Sequence, residues 1–352
     1  MSAIARTIAA IGPLDDAIIA AARARQDSLA KPPGSLGRLE SLAVQLAGIR
    51  AAIVPIDRPA VVVMAGDHGV AAEGISAYPA SVTVEMVRTF LAGRAAINVI
   101  GSIVGARVVI VDMGTAEPVS CRGLIVRRIG DGTRNLAEEP AMSAAQANAA
   151  MEAGIEIAVE LADDGIDLIV PGEMGIGNTT SASCIVAALT GNAPTRVTGR
   201  GTGVDRATME RKRAVVAGAL VLHRDLLGDP RGVLAAVGGF EIAGLVGLCL
   251  GAASRRVPIL LDGLISTAAG LAAASIAPAL RAYLIAGHES VEPGHRVALA
   301  ALGLRPLLTF DMRLGEGSGA ALAIPIVRAA ASTLATMALL SDVLPREGLE
   351  NR

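Results

Sequence analysis

The stretch Ala60-Val61-Val62-Val63-Met64-Ala65-Gly66-Asp67-His68-Gly69 decides the fold class. Its first six residues are all apolar and rich in β-branched valine, which predicts a strand buried on both faces, because a strand exposed on one face alternates polar and apolar residues. The run then ends in polar residues and glycine, as a strand does where it reaches a loop. Strands buried on both faces are typical of parallel sheets covered by helices on either side.

Five further apolar runs repeat this pattern along the chain. They lie at residues 106–111, 166–170, 258–261, 283–286 and 306–310. Between them lie helical patterns, of which the clearest cover residues 14–29, 38–50, 81–91, 144–162 and 206–227. An apolar strand, a polar loop and a helix in repeated alternation predict an α/β fold with a parallel β-sheet flanked by helices, similar to a Rossmann fold.

Acidic residues and histidines follow these runs where each strand is predicted to end. In open parallel sheets, ligands bind at the carboxyl ends of the strands. The alternative role for each acidic residue is to cap the following helix, which is the commoner role for any single one. Their shared position favours an enzyme, and the residues concerned are Asp67, His68, Asp112, Glu173, Asp262, His288 and Asp311.

Charge and cysteine content narrow the class of protein. The 352-residue chain has a formal net charge of −2 and is 1% aromatic, so we expect no nucleic-acid partner, which would need a basic face and stacking side chains. Cys121, Cys184 and Cys249 are scattered and form no CxxC pair, which favours reduced thiols in the cytoplasm. We expect no secretory signal, because Asp15 and Asp16 interrupt the early apolar stretch.

The mean hydropathy of +0.55 raises the question of a membrane protein. The two most apolar stretches cover residues 233–253 and 257–280. Glu241 lies in the first and Asp262 in the second, and a charge is costly at the centre of a bilayer. We therefore expect buried helices and strands rather than membrane spans, with no membrane partner.

The segment DMRLGEGSGA (residues 311–320) is the best candidate for catalysis. Glu316 stands among three glycines, directly after the apolar run 307–310, which predicts a buried strand. Glycines let the backbone approach a ligand closely, and a poorly solvated carboxylate is suited to act as a general base. The alternative is a turn with a solvated glutamate.

The segment GEMGIGNTT (residues 172–180) predicts an anion site. It is read as a loop between a strand and a helix at residues 181–189, and glycine-rich backbone at a helix N-terminus binds phosphate. It matches neither a Walker A loop nor a G-x-G-x-x-G fingerprint. The candidate phosphate ligands are Gly175, Ile176, Gly177, Asn178 and Thr179. One of the cations Arg206, Arg211, Lys212 and Arg213 could neutralise the phosphate, although a solvated helix face is the alternative.

A flat heteroaromatic ring could lie against three apolar side chains near the polar loops, Tyr78, Met86 and Leu314. The alternative is that Met86 and Leu314 belong to the core. Histidine and cysteine spacing matches no common metal-binding motif, so we expect no metal site.

Eight segments match the motifs of a known family in order. They are KPPGSLGRLE (31–40), AGDHGV (65–70), GTRN (132–135), GEMGIGNTT (172–180), GRGTGVD (199–205), GGFEIA (238–243), GHESVEPGH (287–295) and DMRLGEGSGA (311–320). Together they resemble the nicotinate-nucleotide–dimethylbenzimidazole phosphoribosyltransferase family of cobalamin biosynthesis. The segments span nearly the whole chain, and their joint presence is far more specific than any one of them.

The resemblance implies a reaction and roles for individual residues. The 5-phosphoribosyl group of nicotinate mononucleotide moves to 5,6-dimethylbenzimidazole, which gives nicotinate and α-ribazole 5′-phosphate with inversion at the anomeric carbon. Glu316 matches the general base of the family, the Gly175-Ile176-Gly177 backbone matches its phosphate loop, and Lys212 matches a lysine at that phosphate. Glu173 would position the incoming base or a water. The reaction needs no separate cofactor or metal.

The resemblance also implies a domain organisation and an assembly. Residues 1–50 and 325–352 would form a small helical domain, residues 51–324 a large α/β catalytic domain, and the protein a cytoplasmic homodimer. Three alternatives remain open. They are an enzyme of the same fold with another acceptor base or with water, a nucleotide-binding regulatory protein, and a membrane transporter.

Overall fold

A six-stranded sheet forms the centre of the molecule in a computed structural model that describes residues 1–201 and 203–343. Its strands are β1 (Pro59–Gly66), β2 (Arg107–Gly114), β3 (Leu124–Val126), β4 (Leu168–Met174), β5 (Ile259–Leu261) and β6 (Leu284–Ala286). Their order across the sheet is β3-β2-β1-β4-β5-β6, and every neighbouring pair is parallel. The predicted α/β fold with a parallel sheet is confirmed.

Helices cover both faces of this sheet. In the part of the chain that the structure describes they are α1 (Ala3–Ala10), α2 (Asp16–Ser28), α3 (Arg38–Arg50), α4 (Val82–Leu91), α5 (Ala96–Val104), α6 (Ala144–Asp163), α7 (Asn178–Thr190), α8 (Pro194–Val197), α9 (Arg206–Leu222), α10 (Pro230–Val237), α11 (Phe240–Ser254), α12 (Leu264–Ile276), α13 (Pro293–Leu302), α14 (Ser318–Thr336) and α15 (Leu340–Val343). The helix predicted at residues 38–50 matches α3 at both ends.

The central strand β1 is buried along its whole length, and its side chains alternate between two cores. Val62 and Met64 pack into the core that contains α6, α11 and α12, while Val61 and Val63 pack into the core that contains α3, α5 and α14. This two-sided burial explains the uninterrupted apolar run in the sequence.

Close packing of α6 against α11 depends on glycine. A Cβ atom at Gly154 would overlap the carbonyl oxygen of Gly244, and one at Gly247 would overlap the carbonyl oxygen of Met151. Because neither helix carries a side chain at these positions, their backbones lie in direct contact. A core with almost no aromatic residues can therefore still be densely packed.

One strand prediction is wrong. The run 306–310 does not form a buried strand of the main sheet, because only β8 (Leu308–Thr309) is extended, and it pairs with β7 (His288–Glu289) in a separate two-stranded sheet. Phe310 is 65% exposed, so apolar composition did not mean burial here. The sixth strand of the main sheet is β3, a three-residue edge strand that the sequence analysis missed.

Helix α2, near the N-terminus, meets the last turn of α14. The Arg25 guanidinium donates hydrogen bonds to the carbonyl oxygens of Leu334, Ala335 and Met337, which end α14, and α14 also packs against α3 and α5. By contrast, α1 packs against α6 and α11. The predicted domain division (1–50 with 325–352, and 51–324) stays a prediction, and its residues 344–352 lie outside the described part of the chain.

The apolar stretches singled out for a membrane protein lie inside the molecule. Residues 233–253 fall on α10 and α11, and residues 257–280 fall on β5 and α12, with their apolar side chains almost all buried. Two other helical stretches, residues 82–104 and 318–336, are long and apolar enough to span a bilayer by length and composition alone. The first is interrupted between α4 and α5, and half of the second is buried in the core.

Candidate active site

A cavity of about 520 Å³ opens at the carboxyl ends of the strands. It lies beside the end of β4, which contributes Glu173 and Met174, and beside the residues that follow β5, at the carboxyl edge where ligands usually bind in such folds. Nine of the predicted site residues line it, namely Tyr78, Met86, Glu173, Gly175, Ile176, Asn178, Thr179, Leu314 and Glu316. Gly177 and Lys212 do not line the cavity and lie directly behind it.

Glu316 sits in a tight turn whose backbone is left-handed at three successive residues. The φ angles of Gly315, Glu316 and Gly317 are 93°, 64° and 79°. A Cβ atom at Gly172 would lie 2.6 Å from the carbonyl oxygen of Glu316, so glycine on β4 makes room for the turn. The flanking glycines thus bring this carboxylate to the cavity wall, at an energetic cost for a residue that is not glycine.

Residue Glu316 is only 4% exposed, and burial raises the pKa of its carboxyl group above the ordinary value. Its Oε2 accepts a hydrogen bond of 3.1 Å from the backbone N–H of Ile97 in the first turn of α5, which opposes that rise. The negative charge of Asp262 adds to it. The alternative of a solvated glutamate in an exposed turn is wrong for this residue.

Glu173 is the second buried carboxylate of the cavity. Burial, then the negative charges of Asp262 and Glu241, raise its pKa to about 8, against the effect of a hydrogen bond donated by Asn178 Nδ2. It is therefore protonated at neutral pH. The prediction that Glu173 lies on a loop is wrong, because it lies in β4, and only residues 175–177 separate that strand from α7.

Helix α7 begins three residues earlier than predicted, so Asn178 and Thr179 lie in its first turn. Gly177 caps the helix with a φ of 100°. The backbone N–H of Ile176 donates to Thr83 Oγ1 at 3.2 Å and is thus already engaged. The positive end of the dipole of α7 still faces the cavity, which favours an anion there.

Lys212 on α9 is buried, and its Nζ donates to Thr179 Oγ1 at 2.6 Å. Burial lowers its pKa to about 8, although the charge of Glu292 partly offsets this effect. Since Thr179 Oγ1 accepts from Lys212, its own hydrogen is left to donate to a ligand. The alternative of a solvated helix face is wrong for Lys212, because α9 packs this side against α7.

Two charged residues that line the cavity, Glu292 and Arg313, were not singled out by the sequence analysis. Glu292 Oε1 accepts a hydrogen bond of 2.8 Å from the N–H of Gly201, and Arg313 donates to the carbonyl oxygen of Gly201 at 3.1 Å. Together they hold Gly201, whose backbone lies close to the side chains of Thr179 and Lys212. Glu292 lies in the motif at residues 287–295 and Arg313 in the motif at residues 311–320. Their nearness in sequence to His295 and Glu316 was the one signal that could have identified them.

The three apolar candidates share the cavity wall. Tyr78 is 55% and Leu314 is 58% exposed, whereas Met86 is half-buried. The alternative that Leu314 belongs to the core is wrong. These side chains could cover the face of a flat ring, because they are apolar and still reachable.

His288 and His295 pack beside the carboxylates, with ring centroids 5.9 Å apart. His288 Nε2 lies 3.2 Å from Asp262 Oδ1. His295 Nδ1 accepts from the N–H of Ser290 at 2.9 Å, so its hydrogen is on Nε2, toward Thr267. Burial lowers the pKa of His295 to about 3, which keeps it neutral. Within residues 1–201 and 203–343, no group of three or more potential ligands could hold a metal ion.

Fold and cavity together define a class: an α/β enzyme with buried carboxylates on one side of a helix N-terminus and a lysine–hydroxyl pair on the other. A family model described as phosphoribosyltransferase matches residues 11–343. Nicotinate-nucleotide–dimethylbenzimidazole phosphoribosyltransferases of Roseiflexus sp. (strain RS-1) and Chloroflexus aggregans are each 54% identical to the chain. The alignment covers 100% of both chains for the first, and 97% of this chain and 98% of the relative for the second.

A solved structure gives the same result. The crystal structure of the nicotinate-nucleotide–dimethylbenzimidazole phosphoribosyltransferase from Thermus thermophilus superposes with a TM-score of 0.89 at 44% identity. The match covers 94% of this chain and 98% of that one. The chain belongs to the nicotinate-nucleotide–dimethylbenzimidazole phosphoribosyltransferase family, as its motifs predicted, and it is a transferase of cobalamin lower-ligand synthesis.

Proposed function

We propose that this enzyme transfers the 5-phosphoribosyl group of nicotinate mononucleotide to 5,6-dimethylbenzimidazole, with inversion at the anomeric carbon and Glu316 as the general base. One observation carries the proposal: a buried carboxylate of raised pKa shares its cavity with a hydroxyl held by a buried lysine. The first can take a proton from the acceptor, and the second can bind the donor phosphate. The names of the relatives supply the substrate pair.

The phosphate of the donor is bound at the N-terminus of α7. Thr179 donates its hydroxyl hydrogen, Lys212 stands behind it as the cation, and the Gly175-Ile176-Gly177 backbone with Asn178 shapes the rim. A helix N-terminus adds its positive dipole end. With the phosphate fixed there, binding energy orients the ribose relative to the carboxylates.

Glu316 acts on the acceptor. One ring nitrogen of dimethylbenzimidazole attacks the anomeric carbon, the bond to the nicotinate nitrogen breaks with its electron pair, and Glu316 takes the proton from the other ring nitrogen. Nicotinate leaves as a neutral pyridine nitrogen and needs no general acid. One ionised carboxylate is therefore sufficient, unlike the acid and base pair of an inverting glycosidase.

Inversion follows from a single displacement, because the acceptor attacks opposite to the leaving nicotinate. We assign the acceptor to the wall formed by Tyr78, Met86 and Leu314. Glu173, neutral at pH 7, has a hydroxyl hydrogen with which it can position the incoming base or a water. Its neutrality also spares Glu316 a second full negative charge nearby.

We also propose a cytoplasmic homodimer. Val99 and Ile103 on α5 and Leu322 on α14, two helices that pack together, expose apolar side chains. A second copy of the chain would cover such a surface. Light scattering after gel filtration tests the dimer, and Ile103→Asp should then give a monomer.

The cysteines support the cytoplasm as the compartment. All three are free, with Cys184 and Cys249 buried, as in a reducing compartment.

The direct test of the activity is chromatography of purified protein with nicotinate mononucleotide and 5,6-dimethylbenzimidazole. We expect nicotinate and a new nucleotide in equal amounts. Nicotinate alone would indicate hydrolysis or another acceptor base, and adenine as acceptor would separate those two results. No product with either base would contradict the proposal.

A further inference from the structure

A buried pair outside the proposed mechanism lies below the phosphate loop. His68, two residues after the end of β1, and Glu241, in the first turn of α11, meet with Nε2 and Oε1 2.6 Å apart. Their side chains are 1% and 0% exposed. Neither residue lines the cavity, and Glu241 enters the reaction described above only through its charge, which helps to raise the pKa of Glu173.

Hydrogen-bond directions fix most of the protons of this pair. Ser181 Oγ donates to the carbonyl oxygen of Gly238 at 3.2 Å, so it must accept from His68 Nδ1 at 3.0 Å. His68 Nδ1 therefore carries a hydrogen. At 2.6 Å a second hydrogen must lie between Nε2 and Glu241, because two lone pairs would repel at that distance.

Glycines enclose the pair on several sides. A Cβ atom at Gly239 would overlap His68 Cε1, and one at Gly66 would lie 2.9 Å from Glu241 Oε2. That second oxygen has no hydrogen-bond partner among the described residues. Burying such a pair is costly, and apolar residues of similar size often stabilise a protein more. A role in function would explain why the fold contains it.

The imidazole touches the phosphate loop. A Cβ atom at Gly175 would lie 3.4 Å from His68 Nε2, and one at Gly177 would lie 3.2 Å from His68 Cβ. The loop backbone thus lies directly on the ring. Ser181, the acceptor for Nδ1, belongs to α7, the helix whose N-terminus faces the cavity. Glu241 therefore orients His68, and His68 supports both the loop and the helix.

We propose that His68 and Glu241 are positioning residues that hold the phosphate loop and α7 in the geometry that binds the donor phosphate. The inference rests on the proposed function for the identity of the donor. Its core claim concerns hydrogen-bond geometry, so it applies to inorganic phosphate as well. Displacing a group that positions a substrate by about 1 Å can lower activity up to about a hundredfold. We expect a part of that effect on phosphate binding when the loop and α7 lose this support.

The test is calorimetric titration with inorganic phosphate, together with the KM for nicotinate mononucleotide, on the full chain. We expect His68→Ala and Glu241→Ala to raise both the phosphate Kd and the donor KM about tenfold, and Ser181→Ala to raise them severalfold. The KM for dimethylbenzimidazole should stay unchanged. Ser181→Ala keeps the test available if the larger truncations fail to fold.

Glu241→Gln is the conservative variant. Its amide can donate to Nε2 of a neutral His68 whose hydrogen is on Nδ1, so the geometry is kept, and we expect phosphate Kd and donor KM within about threefold of the unmodified protein. His223→Ala is the matched control, because it removes another buried histidine, bonded to the Leu136 carbonyl oxygen at 2.9 Å. It should lower Tm without changing the phosphate Kd.

Three results would overturn the inference. They are an unchanged phosphate Kd in His68→Ala and Ser181→Ala, an equal rise in His223→Ala, and a Glu241→Gln variant as impaired as Glu241→Ala. Absence of turnover in the unmodified protein would instead contradict the proposed function. The phosphate titration would still report on the positioning role, so the two failures are distinguishable.

Discussion

The first turn of α7 separates two regions of opposite electrostatic character. On one side Asn178 bonds Glu173, which lies with Glu316 and Asp262 in a carboxylate cluster where burial and mutual repulsion raise the pKa of both glutamates. On the other side Thr179 accepts from Lys212, whose pKa is lowered by burial and whose nearest acidic influence is Glu292. Neighbouring residues of one helix thus serve both regions.

The difference indicates how a donor must lie. A phosphate dianion is repelled by the carboxylate cluster and attracted by the lysine side, so it has one favourable orientation. In the proposed reaction the carboxylates then face the sugar carbon, where positive charge develops as nicotinate leaves. Substitutions at Glu316, Glu173 and Lys212 each change one of the two regions, whereas a substitution at Leu314 changes neither.

Replacing the base in the carboxylate region should have the largest effect. We expect Glu316→Gln to lower kcat by about 10²–10⁴-fold, because a positioned general base contributes that much. The donor KM should stay within about threefold, since the lysine region is intact. Steady-state assays of nicotinate release measure both, with the exposed Glu160→Gln on α6 as control. Turnover equal to that of the unmodified protein would exclude Glu316 as the base.

In the proposed mechanism Glu316 also sets the acidic limb of the pH profile of kcat. Because the pKa of Glu316 is raised, kcat of the unmodified enzyme should fall, as pH decreases, at a pH above the ordinary carboxyl value of 4.5. The residual activity of Glu316→Gln should lack this limb. An identical limb in both proteins would assign it to another group.

Glu173→Gln should reduce the pH dependence of the free energy of unfolding. The folded protein holds the Glu173 proton up to about pH 8, whereas the unfolded chain loses it near 4.5. The stability from this group is therefore complete below pH 4.5 and is lost as pH rises through 8, at about 1.4 kcal/mol per pH unit. Between about pH 5 and pH 9 the Tm of the unmodified protein should fall several degrees more than that of the variant. Parallel Tm curves would show that Glu173 ionises normally.

Lys212→Ala tests the other region. Loss of a charged hydrogen bond is worth about 1.5–3 kcal/mol, so the donor KM should rise about 10–100-fold with little change in kcat. In the unmodified enzyme the donor KM should also rise above about pH 8, where Lys212 loses its charge. Thr179→Val should give a smaller rise of the same kind. An unchanged donor KM in both variants would show that Lys212 and Thr179 do not bind the donor phosphate.

Leu314→Ala should have the smallest effect and should alter neither region. Removing part of an exposed apolar side chain costs about 1 kcal/mol of ring contact, which predicts a severalfold higher KM for dimethylbenzimidazole and an unchanged donor KM. Leu340→Ala, an exposed leucine on α15, is the control. A change in the donor KM instead would assign Leu314 to the nicotinate end of the cavity.

Much of the fold could be predicted, because buried parallel strands are uninterrupted apolar runs. β1, β2, β4, β5 and β6 all carry that signal. β3 has only three residues at the sheet edge, too short for any pattern. The run 306–310 has the right composition, but its two leucines are only partly buried against the core and Phe310 is exposed. Length and coverage by other elements, which sequence patterns do not contain, explain both errors.

The site was predictable where glycine marks it. Glu316 stands out because glycines flank it, and residues 175–177 do so for the same reason. Lys212 cannot be told from Arg211 and Arg213 by pattern, because only the packing of α9 on α7 selects it for burial. The contact of His68 with Glu241 joins residues 173 positions apart, and nothing local in either segment points to the other.

The left-handed backbone of Glu316, with φ 64° between two glycines, has a consequence for evolution and engineering. For most side chains this conformation costs about 1–2 kcal/mol, and glycine would adopt it freely. A library screened for heat resistance alone would therefore enrich Glu316→Gly, and under the proposed mechanism its most durable members would be inactive. Stabilisation of this enzyme should therefore keep the 315–317 turn fixed.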